Sequence, residues 1–536
     1  MKPATNKIQI SILLILLLAA LLSSIKMVFF GLNIDEEYTV TLGYRIITAD
    51  KMFLDMWEPH QMSGFVCAFF TKIFMLITGS TDYLVVYLRI ISLLIHGCIS
   101  AYLHTALSKI TTKYLSAILS VLSFIIVPKM ALSIDFSLIA YLSLVIITAT
   151  LIKMEASAKQ AGYVIILSLA TCALILSYPS MLLLFIGLFI TLFITFSKKD
   201  AFLYAGACFI IGLLYVGYFT LTLGLKNFLF GIQQMMTDGE HSASVFSTLF
   251  SNIKSWLIVL VSFAVLYALA FLIAKIFKVK KQKDFIAVSI SLVALIGQLV
   301  YWLSSFRYIN YPLVLYYLVF GALLTTRRIT KQEFLKFVLP SLIATFSGAL
   351  LTNTGIYVIS VMLIPAIIYL LTKTADTETN ATTSNKIIIY ALLLIFLFSR
   401  GWLVCESGSF KADMTYVKQK ALSGPAKGIY CRYIEGYQYN QVQALADQYI
   451  ESDASVLCIS GHTLWYLLSD YQIANYSTIS TPTYDERLLE YYDLYPDKKP
   501  DYILVDAGID TTSFNDIFDD YIMLETVEYV TLYKHK

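Results

Sequence analysis

Apolar runs of roughly 17–25 residues recur along most of this chain, each long enough to carry a helix across a hydrocarbon core of about 30 Å. Backbone polar groups inside lipid must be satisfied within the segment, so such runs can only be helices. The composition agrees: 536 residues, 58% hydrophobic and 14% charged, with a mean hydropathy of +0.72, outside the range of soluble domains. The fold class expected is a polytopic α-helical membrane protein. About thirteen spans are read, near 8–30, 82–106, 115–128, 132–152, 161–178, 180–196, 201–223, 254–277, 285–304, 309–325, 335–352, 355–372 and 387–404. The first run lacks a small-residue cleavage site and reads as an uncleaved helix.

Lysine and arginine set the expected orientation. With the N-terminus cytoplasmic, one side collects Lys2, Lys7, Lys109, Lys113, Lys153, Lys159, Lys198 and Lys199, then the KIFKVKKQK run and Arg327, Arg328, Lys331, Lys336, Lys373 and Lys386. The opposite loops are short or weakly basic, as in PKMALSID and TNTG. This bias predicts N-in and places everything after Leu403 outside a cell (plasma or inner) membrane. Residues 1–404 form the expected membrane domain and 405–536 an extracytoplasmic one. The latter turns polar and tyrosine-rich, with β-type runs ASVLCIS, DYILVD and EYVTLYK around a helical NQVQALADQYIES, as in a small α/β domain. A net charge of +3 gives nucleic acid no electrostatic footprint. Neither GxxxxGK[ST] nor GxGxxG occurs, which speaks against ATP-driven transport.

The chemistry concentrates in the first outer loop, 31–81. There NIDEEYTV places Asp35, Glu36 and Glu37 at the head of a modest helical stripe through Tyr38, Leu42, Ile46 and Ile47. Three acids at a helix start suit the macrodipole, yet beside a bilayer one of them can also accept a proton from an attacking hydroxyl. Arg45 follows on the same stretch, then Trp57, Pro59 and His60. The run SGFVCAFFTKIFMLITG is read as interfacial or re-entrant, because counting it as a span reverses the charge bias downstream. Asp135 opens the fourth span, where a carboxylate is costly unless it caps the helix or faces a polar cavity. Arg89 and Arg307 lie at span ends, where a guanidinium can snorkel or bind phosphate. His96 and His104 read as packing residues and His241 as part of a solvated turn. The seven cysteines show no metal-ligand spacing.

Taken in order, DEEYTVTLGYRIITADK, VVYLRIISLLIHGCISAYLH, MALSIDFSLIAYLSL and FRYINYPLVLYYLVFG resemble the GT-C glycosyltransferases of the protein O-mannosyltransferase and aminoarabinose-transferase type. The likeness runs over about residues 1–372. It implies a hexosyl- or pentosyltransferase that moves sugar from a polyprenyl-phosphate donor to a hydroxyl on a glycan, lipid or protein acceptor, with inversion. It implies Asp35 as general base with Glu36 beside it, and Asp135 positioning the acceptor or the base. It further implies Arg45, Arg89, Arg307 and His60 on the donor phosphate. No metal ligand and no certain cofactor follow, although a divalent cation is compatible. Where the family has His-Pro-Pro or Lys-Pro-Pro, this chain has Glu58-Pro59-His60-Gln61. A ligase or polymerase of lipid-linked glycans, or a non-enzymatic lipid or polysaccharide transporter, remain the alternatives.

Overall fold

The computed structural model describes residues 7–48, 50–58, 60–157, 160–236, 245–305, 314–325, 329–350, 355–375, 382–404, 419–421, 423–479 and 484–536. Thirteen helices come first: α1 (Lys7–Phe29), α2 (Ile34–Thr48), α3 (Gln61–Thr78), α4 (Leu84–Leu107), α5 (Lys113–Ile125), α6 (Phe136–Glu155), α7 (Ala161–Ser177), α8 (Leu182–Thr195), α9 (Lys198–Leu223), α10 (Leu225–Met236), α11 (Val245–Ile276), α12 (Gln282–Ser305) and α13 (Val314–Thr325). Helical segments Leu339–Ala349, Ile364–Ala375 and Thr382–Trp402 complete the helical part. By length and apolarity seven helices suffice to cross a membrane among the described residues, and five shorter apolar ones run with them. The expected thirteen spans are therefore not all matched by full-length helices. The run expected at 335–352 begins with a π-helical stretch, Phe334–Val338, and that at 355–372 passes from a short α-helical turn, Gly355–Val358, into a 3-10 turn, Ile359–Leu363.

The three β-type runs of the C-terminal part all form strands. Short strands β1 (Gln419–Lys420) and β2 (Tyr430–Cys431) pair antiparallel. Strands β3 (Ser455–Ile459), β4 (Gln472–Ile473), β5 (Tyr502–Asp506), β6 (Tyr521–Val527) and β7 (Val530–His535) form one sheet in the order β4-β3-β5-β7-β6. The β4-β3-β5 side is parallel, and β7 closes antiparallel on β5 and β6. The helix Tyr433–Tyr449 begins several residues earlier than NQVQALADQYIES suggests.

The sheet-bearing part sits directly on the first loop. Trp57 is buried among Tyr476, Tyr484 and Tyr491 in one apolar cluster, and its N–H donates to Tyr476 O at 2.9 Å. Gly31 N–H donates to Tyr430 O at 2.7 Å. Both ends of α3 reach the same part: Glu58 accepts from Ser477 Oγ at 3.0 Å, and Thr81 Oγ1 donates to Leu467 O at 2.9 Å. An 18-residue helix is about 27 Å long, yet it begins and ends on one side of the molecule. It packs closely along α2 because Gly43 and Gly64 carry no Cβ. A Cβ at Gly43 would come within 2.9 Å of Cys67 Sγ, and one at Gly64 within 2.8 Å of Leu42 Cδ2.

Candidate active site

Successive side chains of an α-helix diverge by about 100°, so the three acids in the first turn of α2 point three ways. Asp35 turns to the α5–α6 connection, where its Oδ2 accepts from Lys129 Nζ at 2.7 Å. Glu36 turns to α4 and takes both oxygens to Arg89, from Nε at 2.7 Å and Nη2 at 2.5 Å. Glu37 turns to the C-terminal part, accepting from Tyr439 Oη at 2.6 Å and from His462 Nδ1 at 3.3 Å. Side-chain exposure separates them: 22% for Asp35, 2% for Glu36 and none for Glu37. Of the three, only Asp35 keeps a face that a substrate can meet.

Around Asp35 the chain builds a compact cluster. Lys129 adopts φ 54°, a left-handed conformation that costs an ordinary residue about 1–3 kcal/mol and collects at functional sites. Its ammonium lies 4.5 Å from the Phe136 ring centroid. On Phe136 stacks His60, 3.8 Å away and within 2° of parallel. The His60 Nδ1 lies 3.2 Å from Ser177 O. His60 also has a positive φ of 58°. Tyr178 meets the Phe136 ring edge-on at 5.6 Å, and its hydroxyl lies 3.2 Å from Ser137 Oγ.

Asp135 is the N-cap of α6, accepting from Leu138 N at 2.7 Å. That capping is the role its position in the sequence allows. Its other oxygen, Oδ2, is buried with no hydrogen-bond partner among the described residues. Beside it, burial works against the charge on Lys129, but Asp35 outweighs it and the ammonium is held above its ordinary value.

Two of the expected donor-phosphate arginines, Arg89 and Arg45, are engaged by groups of the protein itself. Beyond Glu36, Arg89 donates to Met27 O, Val28 O and Gly31 O at 3.0, 3.1 and 2.6 Å. Its guanidinium thus fastens the end of α1 and the start of α2 to α4. Arg45 is wholly buried, paired with Asp50 and with Glu58 at 3.0 Å, and it donates to Asp55 O at 3.1 Å and to Asn475. Glu58 completes its shell from Thr478 N at 2.9 Å and Thr478 Oγ1 at 3.1 Å. Glu36 likewise belongs to a buried pair, which fastens α2 to α4. Arg307 lies outside the described residues, as does His241.

Lys129, Phe136 and Tyr178 were not singled out by sequence. The available signal was slight: one lysine in the otherwise apolar PKMALSID, six residues before Asp135. No three His, Cys, Asp or Glu side chains converge as ligands to a cation among the described residues. A groove of about 590 Å³ runs between the end of α2, Phe65 and the last turns of α9, with Tyr215, Tyr218 and Phe219 on its wall.

No family model and no curated protein matches the chain. Among solved structures it is similar to the Archaeoglobus fulgidus oligosaccharyltransferase tethered with an acceptor peptide, at 12% identity and a TM-score of 0.49, covering 98% of this chain and 74% of that one. It is also similar to archaeal oligosaccharyltransferase AglB from the same organism, in complex with an inhibitory peptide and a dolichol-phosphate, at 12% identity and a TM-score of 0.47, covering 99% and 74%. A third is ArnT from Cupriavidus metallidurans bound to undecaprenyl phosphate, at 10% identity and a TM-score of 0.47, covering 97% of each chain.

Proposed function

We propose that the chain is a membrane glycosyltransferase that moves a sugar from a polyprenyl-phosphate donor to an acceptor hydroxyl, with Asp35 as general base. The observation that carries this reading is the Asp35–Lys129 pair: a part-exposed carboxylate and an ammonium 2.7 Å apart, beside a buried carboxyl with an unpartnered oxygen. Base and cation are what the reaction needs. The acceptor hydroxyl attacks the anomeric carbon in line, the bond from that carbon to the phosphate oxygen breaks, and the hydroxyl proton passes to Asp35. The polyprenyl phosphate leaves with the bonding electron pair, and its concentrated charge is stabilised by Lys129. Engagement of Lys129 by the donor phosphate draws the ammonium away from Asp35 and frees that carboxylate for the proton. Asp135 Oδ2 is placed to hold an acceptor or sugar hydroxyl.

The groove beside α9, a helix long and apolar enough to span, supports the substrate class: Ile46, Phe65 and Phe219 line it together with Asp50, Lys51 and Thr222, a mixed lining that suits a lipid with a polar head group. Orientation has support of its own. Lys109, Lys113, Lys153 and Lys198 stand at the helix ends away from the C-terminal sheet, so the positive-inside rule puts the sheet and Asp35 on the extracytoplasmic face. In that frame α3 lies along the bilayer surface.

The test is incubation of the purified protein in lipid nanodiscs with polyprenyl-phosphate hexoses and pentoses, with released polyprenyl phosphate measured. Release that depends on Asp35 supports the reading, and no release from any donor of either class overturns it. Replacing Lys129 by Met should lower kcat/KM for the donor by about 10–10²-fold, the value of a hydrogen bond to a charged group.

A further inference from the structure

Glu37 and His462 lie far apart in the sequence and meet in a buried contact at the junction of α2 with the C-terminal sheet. Of the groups in the first turn of α2, Asp35 and Glu36 are held by the helical part of the chain, through Lys129 and Arg89. Glu37 is held by the C-terminal part, with Tyr439 on one oxygen and His462 on the other. The first turn is thus fixed from three directions, and one of the three anchors belongs to a different structural layer.

We propose that His462, through Glu37 and with the help of Tyr439, is a positioning residue for Asp35, so that the C-terminal domain sets the rate of transfer. The inference rests on the reading of Asp35 as the base. Asp35 and Glu37 belong to one helical turn, so a displacement of Glu37 moves the Asp35 carboxylate relative to Lys129. A misplacement of about 1 Å at a reacting group can cost about 10²-fold. His462 supplies charge as well as a hydrogen bond, because a buried carboxylate without a cation is costly to keep.

The groups facing His462 come from every element around it. Glu37 approaches from α2, Tyr439 and Glu435 from the helix Tyr433–Tyr449, and Asp506 from the end of β5. The Asp506 carboxylate is itself engaged by Gln438 Nε2 at 3.1 Å, and Trp465 stacks on the imidazole at 5.9 Å. Burial works to lower the imidazole's proton affinity, but Glu37 and the more distant acids outweigh it and raise His462 to about 9. Compared with an ordinary histidine near 6.5, the folded state keeps the proton longer. The stabilisation is therefore full below about 6.5 and is lost as pH rises through about 9.

The experiment is the pH profile of polyprenyl-phosphate release, from pH 6 to 10, with kcat and donor KM separated. Wild type should lose kcat on an alkaline limb near 9 while its KM holds. His462→Gln should lower kcat by about 10-fold or more at pH 7.5, within the loss that misplacement produces, and abolish that limb. Pairing His462→Gln with Glu37→Gln joins two amides by a hydrogen bond without charge, and should restore much of kcat with no limb. Tyr439→Phe, which deletes one oxygen, should lower kcat by about 3–10-fold, as loss of a single hydrogen bond does, in a chain that still folds. A His462→Gln profile that superimposes on wild type, or a loss of folded protein with kcat per folded molecule unchanged, overturns the proposal. If wild type itself releases nothing, the fault lies with the transferase reading. Release that needs Asp35 but ignores His462 and Tyr439 faults the positioning role alone.

Discussion

Replacing Asp35 by Asn is expected to reduce polyprenyl-phosphate release by about 10²–10⁴-fold, the range assigned to general-base assistance, with the protein inserting and folding as before. The substitution keeps the size of the side chain and removes its negative charge, and with it both the capacity to take a proton and the ion pair with Lys129. Folding should survive because Asp35 is the exposed member of the acidic run, at 22%. Its partner Lys129 is 13% exposed, so the pair is less sealed than Glu36–Arg89, and the loss of stability should be smaller than for Glu36→Gln. The same substitution at Glu36 or Glu37 must behave differently, since those groups are sealed in. Rates, donor KM and thermal midpoints of Asp35→Asn, Glu36→Gln and Glu37→Gln, measured side by side, check this. Near-wild-type transfer by Asp35→Asn would sink the base assignment.

The second large effect is on stability. Arg45→Ala leaves Glu58 buried without its cation, while Asp50 keeps Lys498 at 3.1 Å, and Glu58 is already pushed up by burial, with Arg45 and the Thr478 N–H pulling it down. Breaking such a pair costs about 3–5 kcal/mol, whereas replacing both partners by apolar side chains of similar volume is often nearly neutral. Arg45→Ala should therefore lower the thermal midpoint steeply in detergent. Arg45→Met combined with Glu58→Met should recover part of it, less the loss at Ser477 and Thr478. Equal midpoints for wild type and Arg45→Ala would show that the pair fastens nothing.

The sequence revealed the classes of element better than their partners. Apolar run length located the helices because lipid thickness is a local constraint on each run. Alternation and β-branched residues located β3, β5 and β7 for the same reason, since strand patterning is also local. The acidic run was legible as a place, and Asp35 was singled out within it. Which way each acid turns was not legible, because Asp35, Glu36 and Glu37 share one local environment and differ only in what approaches from elsewhere. The partners of Arg45 and Arg89 were not legible either, because a guanidinium at an interface has the same appearance in sequence whether it meets a phosphate or satisfies carboxylates and backbone carbonyls. Lys129 was missed for the converse reason: its significance lies in a left-handed turn and in Asp35, 94 residues away.

The fastening of α2 to the C-terminal part has a temporal side. Glu37 waits for Tyr439 across 402 residues, and Arg45 waits for Asn475 across 430. At a ribosomal pace of about 5–20 residues per second, that interval is roughly 20–90 s. During it α2 lacks two of its buried fastenings. The acidic run therefore reaches its final setting only once residues 439–475 have been made, and a chain truncated before them should enter the bilayer with α2 unfastened.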